Sequence, residues 1–595
     1  MKVDRQLRLT LAGLAAVWGF VPLMLLIAKA AVYLLTPGFG GLQQSYALSV
    51  NDMTYTGSTI FWGWVFVCAL LSLFVILGAQ STSSKATRLT PAVAALVAST
   101  LAVVGFGFAV HQSWQNSKNV ARFYDRAAVV YTPSIANAPG SLQFLLQGAK
   151  KTQNGCWVAN SDVPSCVKVG TLPLAGFEPR VSSATGAAIV MQRTSGSRQN
   201  VNLLTDANGQ PSLTYLNGAG KSGVWSGIRD GFGAFQPTEG VVEWTGNTAL
   251  PTECKFGGRD AFNKAINGVK SNSLVNFLTR LHPSLYWNQS DVWGYCDAQN
   301  HPVLVFPVQR QVHYLSETVS TAAGVLVVKG SPSGTPQVTY LAHATNLPGP
   351  TYPASLVDQQ LNSLNWMAGR GHHDRHQFGF EPTTAAAQQG NVQNYLLKSA
   401  SDGHVYWVTP LTLSASQSQL FVAYAMVRAD QVNSGHLNTL RVYALASNDP
   451  RVTSVDQLES TGLSMLAGYG PSATFTSNHG QLVEFTPAKN GDYQAFGEVD
   501  GRVIYRLTIP GDASRNPTLV TLDAQTGAPT SSVELQASSQ GGYVASGESS
   551  GSSNATGTGS PSPAGNRLAY CGDPVTSLTN AQVLACAKFF VDRAN

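Results

Sequence analysis

Three apolar runs within the first 110 residues constrain this chain more than any other feature. They are Leu9–Leu35, Ile60–Ala79 and Pro91–Val110. About twenty apolar residues cross a ~30 Å hydrocarbon core as a helix, so the pattern predicts three N-terminal transmembrane helices, 9–35, 60–79 and 91–110. Lys29, near the outer end of the first run, can extend its stem to the interface. The basic residues fall before the first run (Lys2, Arg5, Arg8) and between the second and third (Lys85, Arg88). The positive-inside rule then puts the N-terminus and the second loop in the cytoplasm, and residues 112–595 outside. Ala28-Lys29-Ala30 also has the small-x-small form of a signal-peptide cleavage site. Cleavage there would change the helix count and leave the exterior placement intact.

Charge and cysteine usage fit that placement. Only 12% of residues are charged, and most of the formal +5 resides in the segments flanking the runs. The exterior region therefore has no basic face of the kind nucleic acid requires. Of seven cysteines, Cys68 falls in the second run and the other six fall in the exterior. Nearest-neighbour pairing predicts Cys156–Cys166, Cys254–Cys296 and Cys571–Cys586, as expected of an oxidising compartment, although six cysteines allow fifteen connectivities.

The exterior reads as α+β and β-rich, in tandem antiparallel-sheet units. A membrane-proximal stalk (112–150) leads to a β-rich domain (151–258) whose segment 201–218 has hairpin character. Three further units follow, at 259–350, 351–450 and 451–535. Each opens on an amphipathic helical stretch and continues in short strands. In each, a central strand is expected to end in proline, at Pro307, Pro410 and Pro510. This even spacing points to duplication of one unit. Residues 536–566 form a Gly/Ser-rich linker too poor in apolar side chains to fold. A helical module (567–595) stapled by Cys571–Cys586 completes the chain.

Helix followed by antiparallel strands over residues 259–530 resembles the PepSY-type domains found outside bacterial membranes. The nearest echo is "VIYRLTIPGDASRNPTLVTLDAQTGAP" (503–529), a strand, a loop and a strand ending in an Asp-x-x-Thr-Gly turn. The resemblance implies ligand, protein or regulatory binding and no catalytic residues. The second unit departs from it by an insertion, 368–392.

That insertion holds the stretch richest in potential chemistry, "GRGHHDRHQFGF" (369–380). His372 and His376 share a face on a helix, and His372, Asp374 and His376 share one on a strand. The candidate metal ligands are therefore His372, His373, Asp374 and His376. Flanking glycines disfavour either regular structure, and Arg370 and Arg375 oppose a cation, so a solvated polar loop is the favoured expectation. No HExxH, nucleophile elbow or phosphate-binding loop is present. Trp287, Trp293, Trp366, Tyr406 and Trp407 are expected in the core rather than in a ligand groove.

These features predict a non-enzymatic, membrane-anchored extracytoplasmic binding or scaffold protein of a bacterial cell-envelope assembly. Such a protein would be integral to the membrane, have protein partners or self-assemble, and require no cofactor or nucleic acid. The alternative is an extracytoplasmic metal-dependent hydrolase using His372–His376.

Overall fold

A computed structural model describes residues 59–80, 89–173, 197–205, 211–218, 238–244 and 252–546, with short gaps inside these ranges, and a few positions of the first apolar run. Two helices form an antiparallel pair: α1 (Thr59–Gln80) and α2 (Leu89–Asp125). Small residues on both, including Cys68, Ala69, Ser72, Ala98 and Ala102, are buried where the helices meet. Gly105 permits the approach, since a Cβ there would stand 3.0 Å from the Phe66 backbone nitrogen. Outward-facing Phe74, Leu96, Val103, Phe106 and Phe108 remain exposed, giving an apolar band around the pair. Among the described residues one helix, Leu96–Asp125, is long and apolar enough to cross a membrane; Trp62–Phe74 is a shorter apolar helix. Most of the first run lies outside the described residues. One candidate span thus stands where the sequence predicts three.

The structure is mixed α/β, strand-rich, with several antiparallel sheets. The segment expected as a stalk is built into the main body. Helix α2 runs unbroken to Asp125, and β1 (Ala128–Thr132) then pairs in parallel with β2 (Cys166–Val169) on one side. On its other side β1 pairs in parallel with a strand more than 300 residues later, Leu440–Ala444. Sequence patterning cannot anticipate such a distant partner, because the alternation in "AVVYT" specifies a strand and not its neighbour.

Residues 197–255 contribute a four-stranded antiparallel sheet. The first of the three expected units follows with α3 (Leu274–Leu281), capped by the Ser273 side chain accepting from the Asn276 amide. Its sheet runs through β3 (Trp293–Cys296), β4 (Pro302–Tyr314), β5 (Glu317–Lys329) and β6 (Gln337–Leu341). A bulge in the β4–β5 ladder brings Gly324 to φ +102°, and a Cβ there would lie 2.2 Å from the Leu341 carbonyl oxygen. Only glycine suits that position.

The second unit has α4 (Ala354–Leu361) and then β7 (Phe380–Pro382), β8 (Tyr395–Lys398), β9 (Val405–Leu413), β10 (Ala423–Arg428) and β11 (Leu440–Ala444). Strand β11 carries the pairing to β1. The third unit has α5 (Val455–Gly468), capped by Ser454, and a sheet from Gln481–Pro487 to Tyr543–Ala545.

These units share cores and form layers. In the middle sheet Val405, Trp407, Ala423, Ala425, Val427, Leu440 and Val442 face a core shared with α2 and the first unit. The alternate residues Tyr406, Val408, Tyr424, Met426 and Tyr443 face a core shared with α5 and the third unit. The first unit's sheet is likewise covered on both faces: Val303 and Val305 join the shared core, while Leu304, Phe306 and Val308 join another with α3. Double-sided burial explains why these strands read as continuous apolar runs instead of alternating ones.

Two of the three evenly spaced prolines lie inside strands rather than at their ends. Strand β4 pairs with β3 over Pro302–Val305 and with Tyr286 at Gln309, leaving Pro307 in the gap. Strand β9 pairs with β8 over Val405–Val408 and with β7 over Leu411–Leu413, leaving Pro410 in the equivalent gap. Each proline occupies the one edge position where no ladder donor is required. Pro510 follows the end of its strand at Ile509, as expected.

Candidate functional site: the joint between the first two units

An extended, part-buried polar group assembles where α2, the first sheet and α4 meet. Asp291 ends a short 3₁₀ turn before β3 and is 5% exposed. Its carboxylate accepts from the Ser355 amide at the start of α4 (3.2 Å) and from the Ser355 hydroxyl. It thus caps a helix of the neighbouring unit from outside, satisfying a donor that the helix cannot use internally. Ser355 Oγ accepts from Gln309 Nε2 (2.7 Å), and Gln309 Oε1 accepts from Tyr286 OH (3.2 Å). Tyr286 OH also bonds Ser320 Oγ, and the Ser320 amide donates to Tyr124 OH at 3.0 Å. The Tyr124 hydroxyl donates to Gln359 Oε1 on α4.

With the Tyr286 proton on Gln309, the chain has a direction. Ser320 donates to Tyr286, Tyr286 to Gln309, Gln309 to Ser355, and Ser355 to Asp291. Aligned donors polarise one another, and all of them converge on the one carboxylate. Burial nevertheless prevails: desolvation pushes the Asp291 carboxyl up to about 6, the Ser355 bonds pull it down, and nearby Asp358 pushes the same way as burial.

Asp291 also lines a small, partly open depression of about 10 Å³, with Pro307, Pro350, Tyr352, Pro353 and Trp407. Its walls are fixed by hydrogen bonds. Trp293 Nε1 donates to the Pro350 carbonyl (2.8 Å) and Trp407 Nε1 to the Tyr352 carbonyl (3.1 Å). The fully buried Tyr352 donates to Gln360 Oε1 (2.8 Å). This arrangement can position and recognise through the Asp291 carboxylate and the Ser355 hydroxyl. Nothing in the sequence singles it out, because its members span Tyr124 to Gln360 and Asp291 looks like an ordinary turn former.

The sequence-predicted metal ligands behave otherwise. Arg370–His373 forms a single helical turn, and His376 follows at φ +50°. The His373 ring lies flat on Trp366, with centroids 3.6 Å apart and planes 16° apart. Asp374 is divided between two cations or donors, His373 Nδ1 (3.2 Å) and Arg370 Nε (3.1 Å), which hold its carboxyl below the usual range. Arg375 Nε donates to the Gly371 carbonyl (2.7 Å). Among the described residues no three His, Cys, Asp or Glu side chains are grouped so as to hold a metal ion. Of His372, His373, Asp374 and His376, the tryptophan engages His373 and the arginine engages Asp374.

Two disulfides are formed among the described residues. Cys156–Cys166 closes a hairpin at the edge of the middle sheet, and Cys254–Cys296 ties the 197–255 sheet to β3. The Cys571–Cys586 pairing lies outside the described residues. Trp287, Trp293, Trp366, Tyr406 and Trp407 are all buried. Comparison with known protein families, curated proteins and solved structures found no match for the chain. The likeness of residues 259–530 to PepSY-type domains accordingly rests on element order and the short echo at 503–529.

Proposed function

We propose that the chain is a membrane-anchored extracytoplasmic binding or scaffold protein, a component of a bacterial cell-envelope assembly, with a cytoplasmic N-terminus and residues 112–595 outside. The observation that carries this reading is the continuity of α2. The helix bears the exposed apolar band through Val110, and nine residues later, at Asn119, it is buried by the main body. A helix shared in this way holds the strand-rich body at a fixed attitude to the bilayer, which suits presentation of a surface to partners. Two disulfides in that body fit an oxidising compartment. The metal-dependent hydrolase alternative draws no support from the His372–His376 geometry.

The test uses the full chain in intact cells. After mild reduction, a membrane-impermeant maleimide should label Cys156 and Cys166 from outside, while an N-terminal tag stays protected from added protease. Labelling that requires lysis would overturn the orientation. Cross-linking at native levels should give a discrete oligomer or heteromer, and a chain that remains monomeric and alone contradicts the scaffold reading.

A further inference from the structure

Asp125, the last residue of α2, is only 3% exposed. Its Oδ1 accepts from Ser165 Oγ at 2.6 Å, the one bond its carboxyl makes among the described residues. That bond is half of a two-point seat. Ala121 stands one turn before Asp125 on the same helix face, and it packs with Val163 and Trp366. Val163 and Ser165 are held together, because the Ser165 amide donates to the Val163 carbonyl at 3.0 Å. The next residue, Cys166, begins β2 and carries the Cys156–Cys166 disulfide. An apolar contact and a polar one thus seat the disulfide hairpin, the edge of the middle sheet, on the last turn of α2.

The polar contact has little to offset a negative charge. A carboxylate at a helix C-terminus meets the negative end of the macrodipole and its unsatisfied carbonyls. The charged groups on the elements around it are Arg122 and Arg126 of α2, and Lys150, Lys151 and Lys168 of the hairpin. Arg370, His373 and Asp374 lie beyond Trp366. Among the described residues none of these forms an ion pair with Asp125, and Asp374 takes Arg370 and His373 for itself. Only the neutral Ser165 hydroxyl is offered. A buried charge so poorly compensated reverts to its neutral form. Desolvation accordingly pushes the Asp125 carboxyl up to about 7, against the Ser165 bond that pulls it down.

We propose that Asp125 and Ser165 form a proton-held latch between α2 and the disulfide hairpin, closed while Asp125 is a neutral acid and released as it ionises. The ionised carboxylate turns to water and gives up its seat, freeing 163–169 from the helix end. Tyr124 keeps α2 on the first unit through Ser320 and Gln359, so release is confined to the hairpin. The folded carboxyl titrates above its unfolded value of about 4. Closure is therefore strongest below pH 4 and is lost as pH rises to about 7. The latch is a property of the described body and holds whichever side of a membrane that body occupies.

Hydrogen exchange of the full chain in detergent micelles, corrected for the intrinsic pH dependence of exchange, tests this. Protection at 163–169 is read against Gln481–Pro487 of the third unit. In the wild type it should fall at least several-fold between pH 5 and pH 7 and level off above. Asp125→Asn, which keeps the shape without the charge, should abolish the response, and Asp291→Asn should leave it. Ser165→Ala removes the bond that favours the ionised form, so it should move the response to higher pH. Equal relative protection at pH 5 and pH 8 in the wild type overturns the proposal, and that comparison needs no variant. A response that persists in Asp125→Asn, vanishes in Asp291→Asn, or fails to move upward in Ser165→Ala overturns it as well.

Discussion

Two polar groups in this molecule invite comparison: the buried chain from Tyr124 to Asp291, and the surface segment Arg370–His376. The segment is conspicuous in sequence, with three histidines in five residues, yet its side chains mostly engage one another and Trp366. The part-buried chain is inconspicuous, drawn from seven residues between 124 and 359, yet it links α2, the first sheet and α4. Local density of reactive residues measures what a segment could do alone. Burial with full hydrogen bonding measures what the fold has committed, since a polar group removed from water costs free energy unless it is paired.

The comparison is sharpened most by the largest perturbation. Tyr352→Ala empties a fully buried site beneath the joint and removes the bond to Gln360. Thermal unfolding should show a loss of about 3–5 kcal/mol. A loss below ~1 kcal/mol would mean that the joint does not pack as described.

Second comes pH. The Asp291 carboxyl titrates at about 6 in the folded chain, against about 4 when unfolded. The folded state therefore binds more protons between these values. This group's contribution is most favourable below about pH 4 and declines by up to about 3 kcal/mol as pH rises through 6. Asp291→Asn should flatten that part of the stability profile, and an unchanged profile would show that another group is responsible.

Third, Ser355→Ala removes the hydroxyl that both receives from Gln309 and donates to Asp291. Its cost at pH 7 should be about 1–3 kcal/mol, shrinking below pH 6 as Asp291 takes up a proton. Smallest is Asp374→Asn in the surface segment, expected to change stability by no more than about 0.5 kcal/mol. A larger effect there would dissolve the contrast between the two groups.

The sequence discloses one of these groups and hides the other for physical reasons. Apolar runs are local signals, and the helices at 59–80 and 89–125 follow from them directly. The order of a helix and then antiparallel strands in residues 259–530 is also local, and the strands near Val305, Trp407 and Val442 are where their composition puts them. Pairing of β1 with β11, the layering of three sheets and the capping of α4 by Asp291 depend on contacts between segments tens to hundreds of residues apart. Pro307 and Pro410 illustrate the boundary. Their spacing is visible in the sequence, but their placement in gaps along strand edges depends on which neighbours arrive. The histidine spacing permits a shared face but says nothing of the tryptophan that engages His373 or of the arginine that engages Asp374.

The central claim is that α2 and the layered body are one structural unit, joined through Tyr124. Hydrogen exchange on the full chain in nanodiscs tests it directly. Amides 119–125 should be protected as strongly as those of β9, and Ser355→Ala together with Tyr124→Phe should lower protection in both. Exchange at 119–125 typical of a fraying helix end, while β9 stays protected, would contradict it.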